Sequence, residues 1–254
     1  TFNNQVSIPP IIESDTVEIE IGIHRHNFDP NGTDSINTMI ETFAFNRTGD
    51  SSITYLGPTI AWQYLHDVNT KVTNNLPSTA TVHWHGAHVP VYTDGGPHQQ
   101  IQPGAIWDIN FEILDKSATM WYHPHVMDRT YEQVQMGMSG MIYVEDPVDG
   151  QDDPILSTLH DILPNEYGVN DFPLIFQTKK FMRDATSGES VIDSSVVQGY
   201  KDDYYRIVNG VGNPYLDVPA DMIRLRILNG DGKFAFNYQV KDAQGNVVPL
   251  VLIA

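Results

Sequence analysis

The chain has 254 residues, 41% of them hydrophobic, and a formal net charge of −18 from 32 acidic and 14 basic side chains. That charge argues against nucleic acid and anionic membrane surfaces as partners. Its lack of cysteine excludes disulfides and every thiolate-dependent site from this polypeptide. No apolar run reaches the roughly 20 residues that a membrane helix needs, and the N-terminal TFNNQVSIPP lacks the charged-then-apolar profile of a signal peptide. A soluble, mature chain is expected, its acidity spread over a solvated surface.

From the N-terminus, TVEIEIGIH (16–24) alternates apolar and polar residues and predicts a half-buried strand. His24 and His26 precede the turn-rich NFDPNGTD, so a surface role is expected for both. Asn31 and Asn46 head NGT and NRT sequons, which carry meaning only in a eukaryotic source. ATVHWHG (80–86), IWDINFEI (106–113) and SGMIYVED (139–146) continue the strand grammar; RTYEQVQMGM (129–138) has room for one or two helical turns. Met120, Met127, Met136, Met138 and Met141 cluster there, and core packing is the expected use of a side chain that fills irregular gaps. Residues 147–169 combine Pro, Gly and acidic residues and read as a linker, dividing the chain into segments 1–146 and 170–254. DFPLIFQ and MIRLRILNG supply strands of the second segment, and NVVPLVLIA (246–254) reads as a last, buried one. Such a strand would leave its sandwich short of partners, so continuation of the chain, or completion by another polypeptide, is expected. The fold class is all-β, with two β-sandwiches in tandem.

The chemistry lies in HWHGAH (83–88) and WYHPH (121–125). Residues i and i+2 of a strand share a face, so His83 projects with His85 and His123 with His125, and four imidazoles can converge. A pure imidazole set suits copper or zinc. Six of the ten histidines fall between positions 83 and 125; of the others in that stretch, His88 and His98 flank the loop, where loop polarity or a supporting hydrogen bond is expected. His66 and His160 show no pattern.

TVHWHGAHVPVYTDGGPHQQIQPG followed by TMWYHPHVMDRTYEQVQMGMSGMIYVEDP resembles the first cupredoxin domain of multicopper oxidases, the family of laccases, bilirubin oxidases, spore-coat oxidases and bacterial cuprous oxidases. The likeness begins upstream in YLGPTIAWQ and continues, more weakly, through PLIFQTKKF and VNGVGNPYLDVPADMIRLRILNGDGKFAF, covering nearly the whole chain. The resemblance implies tandem cupredoxin-like Greek-key sandwiches and half of a trinuclear copper cluster that reduces dioxygen to water. On this likeness His83 matches a ligand of the type 2 copper, and His85, His123 and His125 match ligands of the type 3 pair. Asp94, in TDGGP, matches a carboxylate that helps supply protons, which four-electron reduction of dioxygen consumes and metal-bound imidazoles cannot provide.

Members of the family accept electrons at a type 1 copper held by His, Cys and His in a later domain, and this chain has neither that cysteine nor the HxxHxH and HCHxxxH motifs. The resemblance therefore implies the N-terminal part of an extracytoplasmic oxidase, inactive without a C-terminal cupredoxin portion. A phenol, aromatic amine, pigment or metal ion remains open as the small reducing substrate. Three alternatives stand beside this. A His-ligated zinc enzyme would also use such pairs, although AHVPVYTDGG lacks the Glu and further His of a cupin. A copper-free cupredoxin scaffold would have lost the ligand histidines, and all four are kept. Copper storage or delivery would need metal uptake alone.

Overall fold

The computed structural model describes residues 2–33, 36–145, 162–195 and 204–253; His160 and residues 147–161 of the expected linker lie outside them. The first segment contains β1 (Asn4–Gln5), β2 (Ile11–Glu13), β3 (Thr16–His26), β4 (Ile40–Arg47), β5 (Thr59–Gln63), β6 (Asp67–Asn74), β7 (His83–His85), β8 (Ile106–Glu112), β9 (Ala118–His123), the helix α1 (Thr130–Met136) and β10 (Gly140–Glu145). One sheet runs β2-β5-β10-β9-β7 and the facing sheet β4-β3-β6-β8. Alternation decides what lies between them. Val17, Ile19 and Ile21 of β3 turn inward, with Glu18 and Glu20 on the outer face, and meet Trp62, Trp84, Tyr122, Ile142 and Val144 of the other sheet. Each such side chain removed from water contributes about 1.5–3 kcal/mol.

β10 breaks the alternation because both of its faces are covered. Ile142 and Val144 enter the first core, whereas Met141 and Tyr143 enter a second one with Phe28, Ile36 and Tyr55. Strands buried on both sides read as continuous apolar runs. The cover comes from the second segment: β11 (Asp171–Lys179), β12 (Phe181–Arg183), β13 (Ser190–Ile192), β14 (Tyr205–Val208), β15 (Val211–Gly212), β16 (Pro214–Tyr215) and β17 (Arg224–Asn229). Its sheet runs β15-β14-β11-β17, β12 and β13 form a hairpin, and Ile175, Ile192 and Ile207 complete the second core.

Two polar devices fasten the segments. Arg226 forms a buried ion pair with Asp171 at 2.7 Å, donates to Thr119 Oγ1 at 3.2 Å and lays its guanidinium 3.7 Å above the Tyr143 ring. Lys179, fully buried, donates through Nζ to Gln135 Oε1 at 3.0 Å near the end of α1. The helix stops at Gly137, whose φ of +122° and lack of a Cβ are both required, since a Cβ would sit 2.4 Å from Phe43 O. The N-terminal strand crosses over: β1 pairs parallel with β16, and Val6 packs in a third core with Phe172, Leu174 and Val208.

Several expectations change. NVVPLVLIA forms no strand among its described residues; a single bridge joins Lys241 to Val247, and Leu250, Val251, Leu252 and Ile253 are exposed. No described strand faces it, and Pro249 cannot donate to a ladder. His26 is not a surface residue. Its ring nitrogens meet Thr54 Oγ1 and Gly210 O, each at 2.8 Å, and the ring packs on Phe28 and Tyr55 between the segments. Burial lowers its pKa. His24 instead contacts Asn46 Nδ2 at 3.2 Å. That asparagine is buried and bonds both polar groups of Ile53, so the folded chain offers no amide there for a glycan, whereas Asn31 is exposed. Met138 and Met141 are core residues, Met120 and Met136 pack against cores, and Met127 is exposed. His66 pairs with Asp15, His88 with Asp115, and His98 is exposed.

Candidate metal centre

The site forms where β7 lies antiparallel to β9 at the edge of the five-stranded sheet, with His83 opposite His123 and His85 opposite Trp121. Alternation sends Trp84 and Tyr122 into the first core and leaves His83, His85 and His123 on the outer face. One ring nitrogen from each of these three lies within 4.8 Å of those from the other two. Ring centroids are 5.3 to 5.5 Å apart around the triangle.

His125 departs from the expectation of a strand position. β9 ends at His123 because Pro124 has no N–H to extend the ladder, and His125 follows on an exposed turn. Its backbone N–H is held by Thr81 Oγ1 at 2.6 Å, and its ring lies 5.4 Å from that of His83 and 6.2 Å from that of His123. It borders the triangle without joining the tight group.

Backbone carbonyls orient two of the rings. His83 Nδ1 lies 2.8 Å from Asp94 O and His123 Nδ1 2.7 Å from Pro124 O, so each Nδ1 carries the proton and each Nε2 is left as a bare donor for a metal. His123 Nε2 in turn accepts from His85 Nδ1 at 3.0 Å. Burial, reinforced by the neighbouring imidazoles, drops the pKa of His123 to about 4 despite the opposing carbonyl contact, and burial lowers that of His85 as well. Both are neutral near pH 7, the form that ligates metal.

Asp94 reaches the site through a close chain approach. Its carbonyl also accepts from Trp84 N at 3.4 Å, and its carboxylate lies 3.3 Å from His83 Nδ1 while remaining partly open to solvent. The adjacent Gly95, at φ +74°, makes this possible, because a Cβ there would fall 1.7 Å from Val82 O. Thr93 O fixes the Trp84 indole N–H at 3.0 Å. His88 stands off the triangle, its ring exposed and its pKa raised by the hydrogen bond to Asp115.

Thr81, Pro124 and Trp121 support the histidines and are not singled out by the sequence patterns. Pro124 and Trp121 have local signals, the first lying inside the HPH motif and the second two residues before His123 on the same face, whereas Thr81 has none.

Residues 51–149 match the family model of the multicopper oxidases. The fold agrees: a laccase-like multi-copper oxidase from Ochrobactrum superposes with a TM-score of 0.72 at 29% identity, covering 89% of this chain and 46% of that one. Residues 51–149 form a multicopper oxidase domain. The McoA multicopper oxidase of Aquifex aeolicus gives 0.73 at 28% identity, over 90% and 46% of the two chains. Among relatives by sequence, the multicopper oxidase mco of Staphylococcus haemolyticus is 38% identical over 74% of this chain and 39% of its own length. The cell division protein FtsP of Escherichia coli is 35% identical over 75% and 38%. The chain thus spans less than half the length of these multicopper oxidase relatives. Its donors fit copper on their own chemistry, being imidazoles with no carboxylate or thiolate among the three. No helix among the described residues is long and apolar enough to cross a membrane.

Proposed function

We propose that this chain supplies the first half of the histidine set of a trinuclear copper centre in an extracytoplasmic, laccase-like oxidase that couples oxidation of a small reducing substrate to reduction of dioxygen to water. The triangle of His83, His85 and His123 carries this reading. His83 would serve the type 2 copper, and His85, His123 and the bordering His125 the type 3 pair. Bound copper would supply the one-electron redox chemistry and the place where dioxygen is held. The protein's own part is orientation and proton handling. Asp94 O and Pro124 O turn bare Nε2 atoms of His83 and His123 toward the site, and the buried Trp84 and Tyr122 anchor the strand pair in the first core. The Asp94 carboxylate, beside His83 and reachable from water, holds and passes protons. The remaining ligands and the type 1 copper belong to a C-terminal cupredoxin portion, and substrate choice among phenols, aromatic amines, pigments and metal ions is made there. Segments 1–146 and 170–254 act as two cupredoxin domains.

Elemental analysis after gel filtration tests the metal. Copper retained by the wild-type chain and lost with His123→Ala is expected; zinc in its place would overturn the copper assignment. In the complete oxidase His123→Ala abolishes dioxygen uptake while the type 1 absorption persists, and unchanged uptake would sink the ligand assignment. A copper-free scaffold is the second reading, since one relative at 35% identity, FtsP, is named for cell division and not for oxidation. A wild-type chain that holds no metal supports it.

A further inference from the structure

We propose that Trp121 is a positioning residue for this centre, an aromatic clamp that holds His85 and His123 with their nitrogens facing each other. The inference rests on the copper reading above and adds a residue to it. Trp121 lies opposite His85 in the β7–β9 register and two residues before His123 on the same face. Its ring lies 4.1 Å from that of His123 and 5.4 Å from that of His85, each at an interplanar angle of 31°. One indole therefore covers both imidazoles.

Core packing does not explain the residue. Its neighbours Met120 and Tyr122 point to the other face and join the first apolar core, while Trp121 is half-buried and belongs to none of the three. The histidines need such a wall. β7 is three residues long and forms the edge of its sheet, its outer side meets the Asp94 loop and no strand among the described residues, and His85 is exposed. His83 and His123 each have Nδ1 held by a backbone carbonyl, whereas Nδ1 of His85 faces His123 alone. An exposed imidazole with one such contact samples several rotamers, and each wrong rotamer removes a donor. Stacking restricts His85 to the rotamer that meets its partner.

Trp121→Leu keeps apolarity but removes the π face, and Trp121→Phe, also smaller than Trp, restores it. Both are titrated in the full chain with cuprous ion against a chromophoric chelator, and the cupric forms are compared by electron paramagnetic resonance. The Leu variant is expected to bind roughly ten- to a hundred-fold more weakly, as for other groups that orient ligands. Its copper hyperfine pattern should change, Phe should recover both, and the thermal midpoint should stay near wild type because the residue lies outside the cores. Wild-type affinity and spectrum in the Leu variant would overturn the clamp while leaving the copper reading intact. A wild-type chain that takes up no copper would instead remove the reading on which the clamp rests.

Discussion

The outer face of the β2-β5-β10-β9-β7 sheet ends in two different ways. Toward β10 it is sealed: Met141 and Tyr143 lie in a core shared with the second segment, and Arg226 presses on Tyr143 and Thr119. Toward β7 the second segment does not cover it, and the residues there run from exposed His85 through half-buried Trp121 to His123, which its own neighbours bury. Thr119, Trp121 and His123 alternate along one strand, so a single pleat carries both the docking contact and a proposed metal donor. Backbone geometry is common to the two ends, and what separates them is whether another segment covers the side chains. The sealed end should govern stability and the open end metal.

The sharpest way to break this contrast is Arg226→Ala. Removing one partner of a buried pair leaves Asp171 only the more distant Arg224, at 3.8 Å, with an expected loss of about 3–5 kcal/mol in denaturant unfolding. A loss under about 1 kcal/mol would mean that the ion pair does not fasten the sealed end. Thr81→Val probes the border between the regions, because it orphans the His125 N–H. It should cost about 1–3 kcal/mol, and unchanged unfolding would show that water replaces the hydroxyl.

Lys179 gives the sealed end a pH signature. Burial depresses its pKa from 10.5 to about 7 in the folded chain. Between those values the unfolded chain binds the proton and the folded chain does not, so stability rises as pH climbs from 7 toward 10.5. The slope from this group is at most about 1.4 kcal/mol per pH unit. Lys179→Met should flatten it in unfolding midpoints measured across that range, and an unaltered slope would assign the dependence to other groups. The smallest stability effect belongs to the open end: His85→Ala, at an exposed position, should move stability by no more than about 0.5 kcal/mol while copper uptake falls. A larger change in unfolding would show that His85 helps hold the fold.

Sequence alone made the local parts of this legible. Alternation around His83 and His85 places them on one face, the HWHG and HPH motifs mark the site, and the short run RTYEQVQMGM becomes α1. The remainder depends on contacts between distant residues. That His123 ends its strand follows from Pro124, which was readable, but the Thr81 hydroxyl that then holds His125 lies 44 residues away. GIHRHNFDP looks like a solvated turn until Gly210, 184 residues on, supplies a partner for His26. NVVPLVLIA has every local mark of a strand, yet periodicity carries no information about whether a facing sheet exists.

The pairing of Asn4 with Pro214 has a consequence for the order of assembly. These residues are 210 positions apart, so β1 leaves the ribosome long before the strand that it pairs with. At a synthesis rate of about 5–20 residues per second, it waits roughly 10–40 s for its partner. The first core draws all its strands from residues 12–144 and can close during that interval. The nascent chain would then hold the His83, His85 and His123 triangle in place before β1 is tied down.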